Sequence, residues 1–164
     1  MTEPDKTAPR WTIRAASAED LAVVTALLRS AHLQPNALGA QFGPQFAVAV
    51  DAAGGTVIGA AGIEVYADAG TSVGLLRSAA VDDAWRGGGI GAALTDDRLQ
   101  WAEDEGLSAV YLLTQTAAGY WPRFGFGVTA RDAAPAALMA SHEWRQGCPA
   151  SAVAMRLALP RPRR

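Results

Sequence analysis

The chain has 164 residues, half of them hydrophobic and 18% charged, with a formal net charge of -2 at pH 7. This length fits one domain that can bury a large apolar core, and the near-neutral charge excludes the basic surface typical of nucleic-acid-binding proteins. The single cysteine, Cys148, excludes an internal disulfide framework. We therefore expect one globular domain whose partners include neither nucleic acid nor a membrane.

The two ends of the chain differ in composition from the rest. The first ten residues are polar and contain two prolines, and they lack the apolar segment of a signal peptide. No later apolar run approaches the length of a membrane span. We predict a disordered tail at residues 1–10, a domain at 11–159 and a short basic tail at 160–164. A lone cysteine is compatible with reducing surroundings, so we also predict a cytoplasmic location.

The start of the domain is predicted to contain a strand, a helix and a loop. Residues 11–15 alternate apolar and polar side chains, as half-buried strands do. Ser17, followed three residues later by Asp20, is typical of a helix start, and the apolar pattern after it predicts a helix that ends near residues 32–35. Glycines and prolines at 35–44 indicate a loop or a short irregular helix.

A hairpin follows this loop. Residues 45–50 and 56–66 are predicted to be strands, joined by a turn at 51–55 that ends in two glycines. Gly59 and Gly62 interrupt the second strand. Glycine inside a strand predicts a bulge or the close approach of another backbone.

The next strand, at residues 73–81, leads into a helix that begins near Gly89. Apolar residues recur at helical spacing in this helix, and Gly106 is typical of the left-handed residue that ends one. Asp97 and Arg98 interrupt the apolar pattern, which the sequence alone does not explain.

The remaining elements are short. Residues 110–114 predict a buried strand in parallel pairing, with the preceding helix as its crossover. The further predictions are a short helix at 117–124, extended structure at 125–129, a brief helix at 135–141 and a last strand at 152–159.

The stretch from Val81 to Ala92 reads Val-Asp-Asp-Ala-Trp-Arg-Gly-Gly-Gly-Ile-Gly-Ala. It joins a strand to a helix and places four glycines where the two meet. Glycines allow backbone N–H groups to converge without a Cβ in the way, and a helix N-terminus adds the positive end of its dipole. This combination is typical of sites that bind phosphate oxygens.

Three kinds of phosphate-binding loop begin in this way. A Walker A loop requires a lysine after its glycines, whereas the only lysine here is Lys6. The glycines formally match the Rossmann pattern, but five residues separate them from the strand, and no acidic residue ends the next strand to bind a ribose. The third pattern is Arg86-x-x-Gly89-x-Gly91 after a strand and an acidic turn.

This third pattern resembles the pyrophosphate loop of the GCN5-related N-acetyltransferases, the GNAT superfamily. The resemblance implies an α/β (α+β) single-domain GNAT fold, with a mixed, mostly antiparallel sheet flanked by helices on both faces and with splayed central parallel strands. It also implies acetyl-CoA as cosubstrate, no metal, a small-molecule amine as acceptor, and the homodimer that is common in the family.

The resemblance also assigns the residues that bind acetyl-CoA. In the family, the strand before the loop bulges and parts from its neighbour, so that its free backbone groups bind the pantetheine arm like an added strand. The implied cofactor-binding residues are Ala79, Ala80, Val81, Arg86, Gly87, Gly88, Gly89, Ile90, Gly91, Ala92 and Thr116.

The acceptor site is predicted to involve Arg77, Ser78 and Tyr66. Arg77 is the charged residue of an otherwise apolar strand. It could bind a carboxylate or phosphonate of the acceptor in a bidentate way, or form a salt bridge with Glu64 on the neighbouring strand. The sequence leaves both interpretations open.

The chemistry requires a neutral amine, because an ammonium group has no lone pair with which to attack the thioester. Glu64 is the predicted base, directly or through water, with a purely structural role as the alternative. A tyrosine in a Tyr-x-x-x-Gly-Phe pattern usually protonates the leaving thiolate in the family, but here Trp121 occupies that position and Tyr120 lies one residue earlier. We predict Tyr120 as the second catalytic residue; proximity alone is the alternative.

Several segments in the second half of the chain resemble a smaller group of acetyltransferases associated with arsenic resistance: residues 75–78, 111–114, 116–119 and 148–153. A related group acetylates amino acids that bear arsinic or phosphinic side chains. The resemblance therefore implies acetylation of a small amine such as an arsenical or phosphinic amino acid analogue. The alternatives are a non-catalytic acetyl-CoA-binding or sensing domain and a protein N-acetyltransferase. Cys148, His32 and His142 are predicted to be structural or surface residues.

Overall fold

The structure is a computed structural model that describes residues 9–35, 37–147 and 151–162. Cys148 and most of the predicted N-terminal tail lie outside these residues. The described residues form one seven-stranded sheet in the order β1-β2-β3-β4-β5-β7-β6. Its strands are β1 (Trp11–Ala15), β2 (Phe46–Asp51), β3 (Val57–Asp68), β4 (Thr71–Val81), β5 (Ala109–Thr114), β6 (Gly127–Thr129) and β7 (Val153–Ala158).

Helices cover both faces of this sheet. They are α1 (Leu21–Ser30), α2 (Ile90–Asp104) and α3 (Ala136–Met139). Helix α1 packs on Phe46 and Val48 of β2, whereas α2 packs on the alternate residues Ala47 and Ala49. Alternate residues of a strand point to opposite faces, so α1 and α2 lie on opposite sides of the sheet.

The sheet is mixed and mostly antiparallel, as the sequence predicts. All of its strand pairs are antiparallel except β4 and β5, which are parallel and connected through α2. Every predicted strand is present, with ends within two residues of the prediction. The predicted fold class is confirmed.

Two short elements differ from the predictions. The helix predicted at residues 117–124 is only a 3₁₀ turn at Trp121–Phe124. Pro122 lacks an N–H and fits only the first turn of a helix, while Gly125 ends the turn with a φ of 99°. A π-helical turn at Glu143–Gly147 was not predicted.

The interruption of the apolar pattern in α2 has a structural explanation. Arg98 is buried, and its Nη1 donates a hydrogen bond to the carbonyl oxygen of Pro44 at 3.0 Å. Its Nη2 lies 2.8 Å from a carboxylate oxygen of Asp97, and its guanidinium lies 5.4 Å from the ring centroid of Trp101. Arg98 therefore attaches α2 to the turn before β2, a role that hydrophobic periodicity cannot indicate.

Strand β4 parts from β5 and then bulges against β3. Its register with β3 shifts by one residue between the pairs Ala60–Ala80 and Gly62–Arg77, and Ser78 within the bulge has a φ of 60°. The parallel pairing with β5 covers only three residue pairs and ends at Leu75. The predicted splayed central strands are therefore present.

Gly59 and Gly62 of β3 are required for different reasons. A bulge in β3 against β2 lies directly before Gly59, and a Cβ on Gly59 would lie 3.1 Å from side chains of α2. A Cβ on Gly62 would overlap the ring of Phe46, which is fully buried. An aromatic side chain, rather than another backbone, therefore requires glycine at position 62.

None of the helices in the described part of the chain is both long and apolar enough to cross a membrane.

Gly62→Ala is expected to lower the free energy of unfolding by about 1–3 kcal/mol, because the buried ring of Phe46 must move to admit the new methyl group. Gly127→Ala is the matched control, since this strand glycine has no atom within 4 Å of an added Cβ. Chemical denaturation of both variants measures the difference. Equal midpoints and slopes for the two would contradict the packing described for Phe46.

Candidate active site

The loop between β4 and α2 is shaped by two glycines in the left-handed region. Gly87 and Gly89 both have a φ of 83°, which residues other than glycine rarely adopt. An added Cβ at either position would meet no atom within 4 Å. We call residues 86–91 the glycine loop. The loop thus needs glycine for its backbone and leaves open space in front of it. Helix α2 begins directly behind this space, so its first N–H groups and its positive dipole end are available there.

Polar contacts fix the glycine loop to the end of β4. The carboxylate of Asp82 accepts a hydrogen bond from the N–H of Ala84 at 2.9 Å. Arg86 lies 3.1 Å from a carboxylate oxygen of Asp83, and its Nε donates to the carbonyl oxygen of Val81 at 3.5 Å. The side chain of Arg86 is 59% exposed, so it anchors the loop and still presents a positive charge to solvent.

A cavity of about 550 Å³, here called the loop cavity, lies in front of the glycine loop. It brings together most of the residues predicted to bind acetyl-CoA. Those that line it are Ala79, Ala80, Val81, Arg86, Gly87, Gly89, Ile90, Gly91 and Ala92. Gly88 does not line it, and Thr116 lines the second cavity instead. Arg123 also lines the loop cavity, and it is a cation that the sequence analysis did not identify.

A second cavity of about 630 Å³, here called the strand cavity, lies where β4 and β5 part. Arg77 and Ser78 of β4 line one side, and residues 112–116 from the end of β5 line the other. The two cavities share Ala79 of β4 and Trp121, together with Ala31 and Leu33 from the end of α1 and the residues after it. A molecule in the loop cavity and a second one in the strand cavity can therefore meet at these residues.

Arg77 and Glu64 form a buried ion pair beside the strand cavity. Nη1 of Arg77 lies 3.3 Å from Oε2 of Glu64, and Nη2 lies 3.7 Å from Oε2 of Glu143. Nε of Arg77 donates to Oγ of Ser78 at 3.0 Å. The salt bridge that the sequence analysis gave as one interpretation of Arg77 is thus present, and Arg77 nevertheless lines the cavity.

Glu64 and Tyr66 lie behind Arg77 and line neither cavity. The hydroxyl of Tyr66 donates to Oε1 of Glu64 at 2.8 Å. Burial, and then the hydrogen bond to this carboxylate, raise the pKa of Tyr66. Tyr66 therefore stays protonated. Tyr66 and Arg77 each donate a hydrogen bond to Glu64 and together hold its carboxylate in place.

Tyr120 and Trp121 both line the loop cavity, but only Trp121 also lines the strand cavity. Trp121 lines both cavities and packs edge-on against Phe126 of the core. Tyr120 lines only the loop cavity, and a Cβ on Gly91 would lie 3.8 Å from its hydroxyl. Burial raises the pKa of Tyr120. Its hydroxyl therefore keeps its proton at neutral pH and can act as a donor.

Two ionisable residues outside the predicted site line the strand cavity: His32, which is predicted to be structural or on the surface, and Glu143, to which the sequence analysis assigned no role. His32 follows α1 with a φ of 59°, and Glu143 lies in the connection between β6 and β7. Neither residue belongs to a recognisable pattern, and both are far from the glycine loop in sequence. Within the described ranges, no group of three or more His, Cys, Asp or Glu residues could hold a metal ion.

Comparison with known families supports the expected fold. The family model described as "Acetyltransferase (GNAT) family" matches residues 19–126. No curated protein sequence matches the chain significantly.

Solved structures with the same fold include several CoA complexes. N-acetylglutamate synthase from Neisseria gonorrhoeae, with coenzyme A and N-acetyl-glutamate, has a TM-score of 0.76 and 19% identity over 94% of this chain. The match spans only 36% of that synthase. Rv2747 from Mycobacterium tuberculosis, in complex with CoA, has a TM-score of 0.73 and 24% identity, covering 90% of this chain and 99% of its own.

The GNAT family N-acetyltransferase YhbS from Escherichia coli, also in complex with CoA, has a TM-score of 0.63 and 28% identity. The match covers 78% of this chain and 73% of YhbS. The family model covers more than half of the chain, and the sheet, the bulged β4 and the glycine loop match the fold that the sequence resemblance implies. The protein therefore belongs to the GNAT family of acetyltransferases, which are acyltransferases that use acetyl-CoA.

Proposed function

We propose that this protein transfers the acetyl group of acetyl-CoA to the amino group of a small molecule. One observation carries the proposal: the parting of β4 from β5 lets the loop cavity and the strand cavity meet at Ala79 and Trp121. The loop cavity suits a pyrophosphate, and the strand cavity has the volume of a small-molecule site. A donor and an acceptor can thus be bound side by side.

Acetyl-CoA would lie along β4 and the glycine loop. Its pyrophosphate would face Gly87 and Gly89, where the backbone leaves open space at the start of α2. Arg86 and Arg123 line the same cavity and add positive charge. Its pantetheine arm would pair with the backbone of residues 79–81, which β5 leaves unpaired.

The transfer is direct, within a ternary complex. The amine nitrogen attacks the carbonyl carbon of the thioester, a C–N bond forms, and the C–S bond breaks as CoA leaves. The nitrogen loses a proton and the CoA sulfur gains one. Holding both reactants in one cleft supplies the main acceleration, because it replaces a collision by an oriented contact.

Glu64 and Tyr120 are the proposed proton-transfer groups. Both oxygens of Glu64 already accept hydrogen bonds, from Tyr66 and from Arg77, so a proton from the amine would reach Glu64 through water. Tyr120 lines the loop cavity with its hydroxyl protonated, which suits a donor to the leaving thiolate.

The proposed acceptor is an amino acid or an analogue of one. Arg77 and Ser78 line the strand cavity and offer donors to an acidic group of the acceptor. N-acetylglutamate synthase has been solved with N-acetyl-glutamate and with L-arginine, which makes amino acids the first acceptors to test. The resemblance to the arsenic-resistance group adds arsinic and phosphinic amino acid analogues to the panel.

The proposed function predicts release of free CoA when purified protein is mixed with acetyl-CoA and a suitable amine. The panel should contain glutamate, methionine, phenylalanine, a phosphinic and an arsinic amino acid analogue, and the corresponding simple amines. A thiol reagent detects CoA, and mass spectrometry identifies the acetylated product. Tight acetyl-CoA binding without turnover of any amine would instead support a non-catalytic binding domain, and acetylation of proteins in a lysate would support a protein acetyltransferase.

Gly89→Val is expected to weaken acetyl-CoA binding at least a hundredfold, because a branched side chain is strained at a φ of 83° and would fill the space in front of the loop. Gly88→Ala is the matched control: this neighbouring glycine does not line the cavity, and its Cβ would make only an ordinary 3.6 Å contact with the carbonyl oxygen of Trp85. Calorimetry measures both affinities. An unchanged dissociation constant for Gly89→Val would refute the proposed pyrophosphate position.

Tyr120→Phe is expected to lower kcat at least tenfold and to change the KM for acetyl-CoA little, because it removes a proton donor but keeps the ring. Steady-state kinetics at pH 7 measure both values. If kcat is unchanged, CoA leaves without help from Tyr120, and proximity alone carries the reaction.

A further inference from the structure

Glu143 is the acidic side chain most open to a molecule in the strand cavity. It lines this cavity together with Arg77, and its side chain is 16% exposed, whereas those of Arg77 and Glu64 are 2% and 5% exposed. In the three-residue ionic cluster, Glu143 is therefore the group that a bound molecule can reach.

The charge of this cluster favours a cation. Arg77 faces one carboxylate on each side, Glu64 at 3.3 Å and Glu143 at 3.7 Å. When all three groups are ionised, their formal charges sum to one negative charge. The other described residue that lines the cavity and can be charged is His32. A positively charged group in the cavity is thus attracted most strongly at Glu143.

The fold fixes the position of Glu143 through its neighbour Trp144. The indole Nε1 of Trp144 donates to the carbonyl oxygen of Arg131 at 3.1 Å, and its backbone N–H donates to Oγ of Ser141 at 3.3 Å. The indole is buried and packs edge-on against Tyr111 of β5. Glu143 is therefore presented to the cavity by a residue anchored in the core, on a π-helical turn of the kind often found at functional sites.

We propose that Glu143 binds the amino group of the acceptor. This inference rests on the proposed function and deepens it: the substrate class is an amine that arrives as an ammonium ion. The carboxylate accepts a charge-assisted hydrogen bond from the ammonium and directs the nitrogen towards Ala79 and Trp121, where the two cavities meet. The ammonium releases one proton to water before attack. As the C–N bond forms and the C–S bond breaks, its second proton passes through water to Glu64, and Tyr120 protonates the CoA sulfur.

Glu143→Gln tests this role because it keeps the shape of the side chain and removes its charge. With the best amino acid acceptor of the panel, we expect its KM to rise by roughly ten- to a hundredfold, as for the loss of one hydrogen bond to a charged group. The KM for acetyl-CoA should change less than twofold. Glu143→Asp should recover part of the loss. Calorimetric binding of CoA shows that each variant retains the folded loop cavity.

Asp132→Asn is the matched control, since it removes one negative charge from an exposed residue of the same β6–β7 connection that lines neither cavity. It should leave the KM of the acceptor unchanged.

A second measurement separates binding of the amino group from a merely structural role. The 2-hydroxy acids that correspond to glutamate, methionine and phenylalanine have a hydroxyl in place of the amino group, and they are to be measured as competitive inhibitors. Glu143→Gln should not weaken inhibition by the hydroxy acids, although it should weaken binding of the amino acids. An equal loss for both classes, or an acceptor KM within twofold of that of the wild type, overturns the assignment of Glu143. A wild-type protein that acetylates no amine overturns the proposed function itself.

Discussion

The parting of β4 from β5 is the constraint on which the site depends. Two parallel strands that stayed paired would leave no room between them, and here the pairing stops after three residue pairs. The bulge places Ser78 at a φ of 60°, a conformation that costs a non-glycine residue about 1 kcal/mol or more. The pairing of β4 with β3 on both sides of the bulge holds this strain in place. Beyond Leu75 the backbone of β4 is no longer paired with β5, and a cleft lies between the two strands.

The ionic cluster of Arg77, Glu64 and Glu143 lies beside the same bulge. Arg77 is the last residue of β4 that pairs with β3 before the bulge, and it lies between two carboxylates, almost without exposure. A buried ion pair is weak evidence for stability, because desolvation of the charges offsets their attraction. Its contribution here is orientation: Glu64, fixed by Tyr66, holds Arg77 against the wall of the cleft. A preorganised charged wall is what a small polar acceptor requires.

Most of the fold could be predicted from the sequence because its signals are local. Alternation marks the strands, and a glycine ends α2 at Gly106 with a φ of 77°. Apart from the short helix predicted at 117–124, which Pro122 and Gly125 cut to one turn, the features that the sequence does not explain depend on tertiary contacts. The apolar pattern of α2 breaks where Arg98 donates a hydrogen bond to the carbonyl oxygen of Pro44. Position 62 requires glycine because the ring of Phe46, on another strand, occupies the space of a Cβ. The π-helical turn at Glu143–Gly147 gives no periodic signal at all.

The same distinction separates the two halves of the site. The loop cavity is built largely from one continuous stretch, residues 79–92, so a pattern of glycines and one arginine is enough to identify it. The strand cavity gathers side chains from the end of α1, from β4, from β5 and from the connection after β6. Only the folded sheet brings Glu143 beside Arg77, 66 positions earlier in the chain. The loop cavity, proposed for the donor, can therefore be recognised from a local motif, whereas the strand cavity, proposed for the acceptor, can be recognised only from the tertiary structure.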